Sequence, residues 1–113
     1  MNTARWLTLL VLVACSSVAG AHVRLKQSVP AEGAVVAAPT QLVLTFSEPA
    51  LVTALWIQQA GGSRQKLGPL PAQPSASIVV PTPGLKPGKY VATWRAVSPD
   101  QHVMSGQLHF TVS

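Results

Sequence analysis

Three stretches of the chain alternate apolar and polar side chains with a period of two. Leu42, Leu44 and Phe46 interleave with Val43, Thr45 and Ser47; Tyr90, Ala92, Trp94 and Ala96 form a second series; Leu108, Phe110 and Val112 form a third. Successive side chains of a strand point to opposite faces, so each series predicts a strand with one buried face. Leu55 to Gln59 and Ala76 to Val80 predict further strands, and His22 to Ser28 an opening one. Turn residues punctuate the series at Pro30 to Gly33, Gly61-Gly62-Ser63, Pro83-Gly84 and Pro87-Gly88. Ten prolines in 113 residues argue against long helices, and no apolar stripe at helical spacing follows residue 21. The reading is all-β: a small antiparallel β-sandwich of about seven strands. Residues 68–75, Gly-Pro-Leu-Pro-Ala-Gln-Pro-Ser, read as a loop of polyproline character within one domain, and no internal repeat is visible.

The first 21 residues follow a different pattern. Arg5 supplies a positive start, Trp6 to Ala14 are apolar apart from Thr8, and Ala19-Gly20-Ala21 is a small-x-small cleavage site. This is the layout of a secretory signal peptide, and the apolar run is shorter than the roughly 20 residues a membrane-spanning helix needs. The expected division is therefore a signal over 1–21 and one domain over 22–113. A competing reading lies in the same segment: Leu12-Val13-Ala14-Cys15 resembles a lipobox, in which Cys15 would be lipidated and become the N-terminus. The well-formed alanine site favours the cut before His22.

Composition narrows the function classes. From His22 onward seven cations (Arg24, Lys26, Arg64, Lys66, Lys86, Lys89 and Arg95) face three acids, Glu32, Glu48 and Asp100. The cations are scattered singly, with no cluster or arginine-rich run to track phosphates, so a nucleic-acid role is not expected. No cysteine follows Cys15. A small exported domain commonly uses disulfides, so stability here must come from a sheet core, with a bound metal as a second source. No serine stands in a nucleophile motif and no glycine-rich phosphate loop is present.

A cut after Ala21 would create a chelate, because an N-terminal His22 offers a free α-amine and an imidazole from one residue. A second candidate is Asp100-Gln101-His102, between the second and third alternating series. In extended backbone residues i and i+2 share a face, so carboxylate and imidazole could aim at one point. On its own an Asp-x-His pair is weak, since Asp after proline commonly caps a turn. Taken with His22, it completes three nitrogens and one oxygen, a set suited to tetragonal Cu(II) rather than tetrahedral zinc. Met104 is the only methionine after the leader, so a thioether site for Cu(I) lacks its ligands.

The segments His22 to Ala34, Leu42-Val43-Leu44-Thr45-Phe46-Ser47-Glu48, Tyr90 through Trp94-Arg95 to Ser98, Asp100, His102, Ser105-Gly106 and Phe110-Thr111-Val112 resemble the CopC-type periplasmic copper-resistance proteins. The resemblance covers essentially the whole chain after the leader. It implies an immunoglobulin-like Greek-key β-barrel or sandwich in the periplasm, binding Cu(II) through His22, Asp100 and His102. Glu48 matches the family's Ser-Glu segment, where the acid lies near the metal; it could equally just end a strand before Pro49. Two departures stand out. Val103 replaces the proline that often follows the second histidine, and residues 49–89 lack the methionine-rich segment some members use for Cu(I).

The remaining candidates have plainer readings. His109 alternates with Leu108 and Phe110 and should face solvent; Trp94 belongs with the core; Trp56 fits either core or an exposed partner surface; Glu32 reads as a turn residue. The expected function is non-enzymatic: Cu(II) is sequestered in the periplasm, or delivered to a membrane transporter or a cuproprotein. One alternative is a copper-brace redox enzyme of monooxygenase type, which Asp100 disfavours by filling a position that oxygen activation needs open. Another is a metal-free immunoglobulin-like envelope lipoprotein, which would follow from lipidation at Cys15.

Overall fold

The Leu42, Leu44, Phe46 series opens a strand far longer than its alternation suggests. In the computed structural model, which describes residues 23–113, the elements are β1 (Leu25–Val29), β2 (Ala34–Val36), β3 (Gln41–Gln59), β4 (Arg64–Lys66), β5 (Ser75–Pro81), β6 (Gly88–Val97) and β7 (Val103–Val112). The first half of β3 lies between β1 and β5, and its second half joins β4, β6, β7 and β2 in the order β4-β3-β6-β7-β2. One strand therefore belongs to both layers, and the expected all-β fold of seven strands is what forms. Every pairing is antiparallel except β2 with β7, which run parallel. The chain leaves β1 in the first layer, turns through Pro30–Gly33 and reaches the second layer alongside the end of β7. Gly33 has a φ of 73° there, a left-handed conformation that glycine adopts without a Cβ penalty.

The sequence splits β3 in two because its burial changes phase. Leu42, Leu44, Phe46, Ala50, Val52 and Ala54 are buried at even positions, then Leu55 and Ile57 at odd ones. A register shift between Val52 and Ala54 causes the change, as an extra residue in one strand reverses which side chains face inward. Strands β2 and β4 are three residues each, too short to show alternation, and escape a pattern reading. The opening strand begins at Leu25; the first residues expected of it, Val23 and Arg24, precede it, and His22 lies outside the described residues.

All three alternating series point inward as expected: Tyr90, Ala92, Trp94 and Ala96, and Leu108, Phe110 and Val112, join Leu42, Leu44 and Phe46 in one core. Trp94 meets Phe46 edge-on with ring centroids 5.2 Å apart, and Tyr90 stacks on Phe110 at 5.6 Å. Tyr90 donates its hydroxyl to the Lys86 carbonyl at 2.7 Å, as the tyrosine corner of Greek-key sandwiches does. Across from Trp94 in register stands Gly106, which leaves room for the indole to lie directly over the β7 backbone.

Candidate metal centre

Strands β6 and β7 form a ten-rung hairpin whose last rung, Val97 opposite Val103, is followed by residues 98–102. Gln101 donates its N–H to the Ser98 carbonyl at 2.9 Å, with Pro99 and Asp100 at the corner, and Gln101 itself has a φ of 69°. A β-turn followed by one left-handed residue is a standard three-residue hairpin loop, and Pro99 presets its first corner. Asp100 and His102 are therefore brought together by a tight turn, not by the extended backbone that their spacing suggested.

The pair is in direct contact. Asp100 Oδ2 lies 2.7 Å from His102 Nδ1, and both side chains are open to solvent, 40% and 70% exposed respectively. Ser98, almost completely buried, holds the turn from beneath: its hydroxyl donates to Asp100 Oδ1 and accepts the His102 backbone N–H at 3.1 Å, while its own N–H reaches the His102 carbonyl at 2.9 Å. Hydrogen bonds from Ser98 first, and then from His102, hold the Asp100 carboxyl below its ordinary range, so it is ionised near neutrality. An ionised carboxylate only accepts, so the imidazole hydrogen sits on Nδ1 and Nε2 is the nitrogen left to bind something else.

Glu48 is exposed on β3, just before Pro49, where the strand passes from one layer to the other. Leu51 pairs with Val97, so residues 50 back to 48 leave the same rung, in the same direction, as the Asp100–His102 turn. Arg24 is bound next to Glu48: its N–H reaches Ser47 Oγ at 3.1 Å and its carbonyl accepts the Ser47 N–H at 2.9 Å. The described start of the chain, with Val23 buried in the core, is thus tied beside Glu48. Among the described residues no three His, Cys, Asp or Glu side chains come together as a metal-binding group, so Glu48 is not gathered with Asp100 and His102. His22, the remaining candidate, lies outside the described residues.

A family model described as the CopC domain matches residues 25–113. The chain is 34% identical to Copper resistance protein C of Escherichia coli, with 81% of this chain and 82% of that protein covered, and 34% identical to Copper resistance protein C of Pseudomonas syringae pv. tomato, with 86% and 85% covered. The chain belongs to the CopC family. The backbone agrees with crystal structures of CopC family proteins. CopC from Methylosinus trichosporium OB3b superposes with a TM-score of 0.68 at 26% identity, covering 81% of this chain and 94% of that one. PcoC, described as a methionine-rich copper resistance protein from Escherichia coli, gives 0.61 at 36% identity, covering 82% and 100%. Against that description, this CopC family chain has only two methionines, Met1 and Met104.

Two contributors escaped the sequence reading. Ser98 was one serine among several, and only the turn geometry shows it binding both candidate ligands' segments. Glu32 is more than a turn residue: it accepts the His109 backbone N–H at 2.8 Å and meets His109 Nδ1 at 2.9 Å. His109 faces solvent as its alternation indicated, with Glu32 as its partner.

Proposed function

We propose that the protein is a periplasmic Cu(II)-binding protein that sequesters copper or hands it to a membrane transporter or a cuproprotein. The observation that carries this is the Asp100–His102 turn: an ionised carboxylate holds Nδ1 of an exposed imidazole and leaves Nε2 to bind, and Ser98 keeps the turn in shape. Metal-binding imidazoles are commonly oriented in this way by a carboxylate on their other nitrogen. We assign the export cut to the bond after Ala21, so that His22 would add its amine and imidazole to the Asp100–His102 pair, with Asp100 as the oxygen donor and Glu48 near the metal rather than bound to it. Support for that end of the site comes from Arg24, two residues on, which is tied to Ser47. Nitrogen-rich sites with few sulfurs favour Cu(II), and the chain's lack of methionines fits the same oxidation state. The relatives named for copper resistance supply the role.

The test is electron paramagnetic resonance of the exported protein with one equivalent of Cu(II), alongside His22→Ala, His102→Ala and a form with one added residue before His22. A tetragonal nitrogen-rich spectrum that changes in all three variants is the expected result. Identical spectra and affinities for the extended and native forms would remove the amine from the ligand set.

A further inference from the structure

The outer face of the second layer carries a cluster that the metal reading does not use. Trp56 alternates with the buried Leu55 and Ile57, so its indole lies half-buried on the outside of the sheet. The Arg64 guanidinium carbon sits 3.8 Å from the ring centroid and that of Arg95 5.9 Å, while Lys66 stands directly opposite Trp56 in the β3–β4 register. Two guanidiniums therefore flank one aromatic ring, with Lys66 on the strand beside it. The ion pairs among the described residues are both made by histidines, so no carboxylate neutralises this group. Glu32 belongs to the far edge, beside β7 and β2, where His109 holds it. Asp100 is held by Ser98 and His102 beyond the end of the sheet.

We propose that this face is a docking surface for an acidic segment of a protein partner. Like charges gathered in one part of a sheet repel one another, and an external anion relieves that repulsion. A guanidinium over an indole is held by cation–π attraction, and its N–H groups can still meet a carboxylate in a two-pronged contact. Tryptophan and arginine are also the residues that most often dominate binding energy at protein interfaces. An anionic membrane fits less well. Polybasic membrane segments gather about four to eight cations, and here Arg64 covers the ring that would have to insert. The assignment is independent of copper, because none of its residues belongs to the metal site.

The test uses the protein purified after expression of its full-length chain, with a chelator present. The probes are a fluorescently labelled polyglutamate peptide and, separately, vesicles of phosphatidylglycerol and phosphatidylcholine. The peptide should bind at low salt, perturb tryptophan emission, and weaken as salt rises. The Arg64→Ala/Arg95→Ala double variant should lose about tenfold or more in peptide affinity. Lys26→Ala/Lys86→Ala, which removes the same charge from β1 and from the β5–β6 loop, should bind as the unaltered protein does. Circular dichroism of each variant confirms the fold. Equal loss in both double variants would show net charge alone at work and overturn the proposal. So would a peptide that does not bind, or vesicles that bind as tightly as the peptide.

Discussion

Asp100 Oδ2 and His102 Nδ1 are 2.7 Å apart across a three-residue hairpin loop, so the carboxylate fixes both the tautomer and the direction of the imidazole. The two residues are joined as a unit, with Nε2 as the nitrogen left to bind.

Asp100→Asn should therefore weaken Cu(II) binding even though it preserves the size of the side chain. Asparagine keeps a neutral oxygen but loses the anionic one, which binds metal and orients the ring more strongly; the loss of a carboxylate that orients a metal-binding histidine typically costs about 10- to 100-fold in affinity. Competition titration against a chelator of known strength measures it. Unchanged affinity would mean that Asp100 neither binds nor orients.

Ser98→Ala tests the support beneath the pair. The hydroxyl is nearly fully buried and serves Asp100 and the His102 backbone at once, so removing it leaves the part-buried His102 N–H without its partner. A cost of about 1–3 kcal/mol is expected in urea denaturation, together with a smaller loss of Cu(II) affinity than His102→Ala produces. A stability equal to the unaltered protein would show that the turn holds itself.

Much of the fold can be read from the sequence because its core strands alternate cleanly: the residues of all three series are those found buried. The parts that cannot be read have specific causes. A single register shift near Thr53 reverses the inward set and makes one strand look like two, and three-residue strands such as β2 carry no periodicity. The site is legible in part. Asp100 and His102 are separated by one residue, so any compact turn brings them together. Glu48 is directed to the same end of the sheet by the pairing of Leu51 with Val97, a relation that spacing along the chain does not contain, but it does not join the pair. Ser98 is invisible for the same reason, since a serine that supports a turn looks like any other until the hydrogen bonds are known.

Glu32 gives the fold a dependence on acid. Its carboxyl is held below the ordinary value mainly by the His109 backbone N–H and further by the His109 ring. A depressed carboxyl pKa stabilises the folded chain above the unfolded value of 4.5, and that contribution is lost as pH falls through the lower folded value. Glu32→Gln should therefore melt below the unaltered protein at pH 7, and the two melting temperatures should converge as acid titrates the Glu32 carboxyl. Thermal unfolding across that acid range decides it; a constant difference would mean that the charge of Glu32 is not what stabilises its contact with His109.

At Gly106 the core has no room for a side chain. A Cβ added there would lie 2.5 Å from Trp94 Cζ2, 2.7 Å from Cε2 and 2.8 Å from Nε1. The indole cannot simply retreat, because Phe46 packs edge-on against it at 5.2 Å. Gly106→Ala must therefore displace Trp94 or the β7 backbone, at about 1–3 kcal/mol for overpacking a filled core. Gly84→Ala is the matched control: no atom lies within 4 Å of its added Cβ, so its effect should stay within about 0.5 kcal/mol. Urea denaturation gives the two costs, and near-ultraviolet circular dichroism reports whether Trp94 has moved. If the Gly106 variant proved as stable as the Gly84 variant, with an unchanged aromatic spectrum, Trp94 could not be lying on the β7 backbone as described.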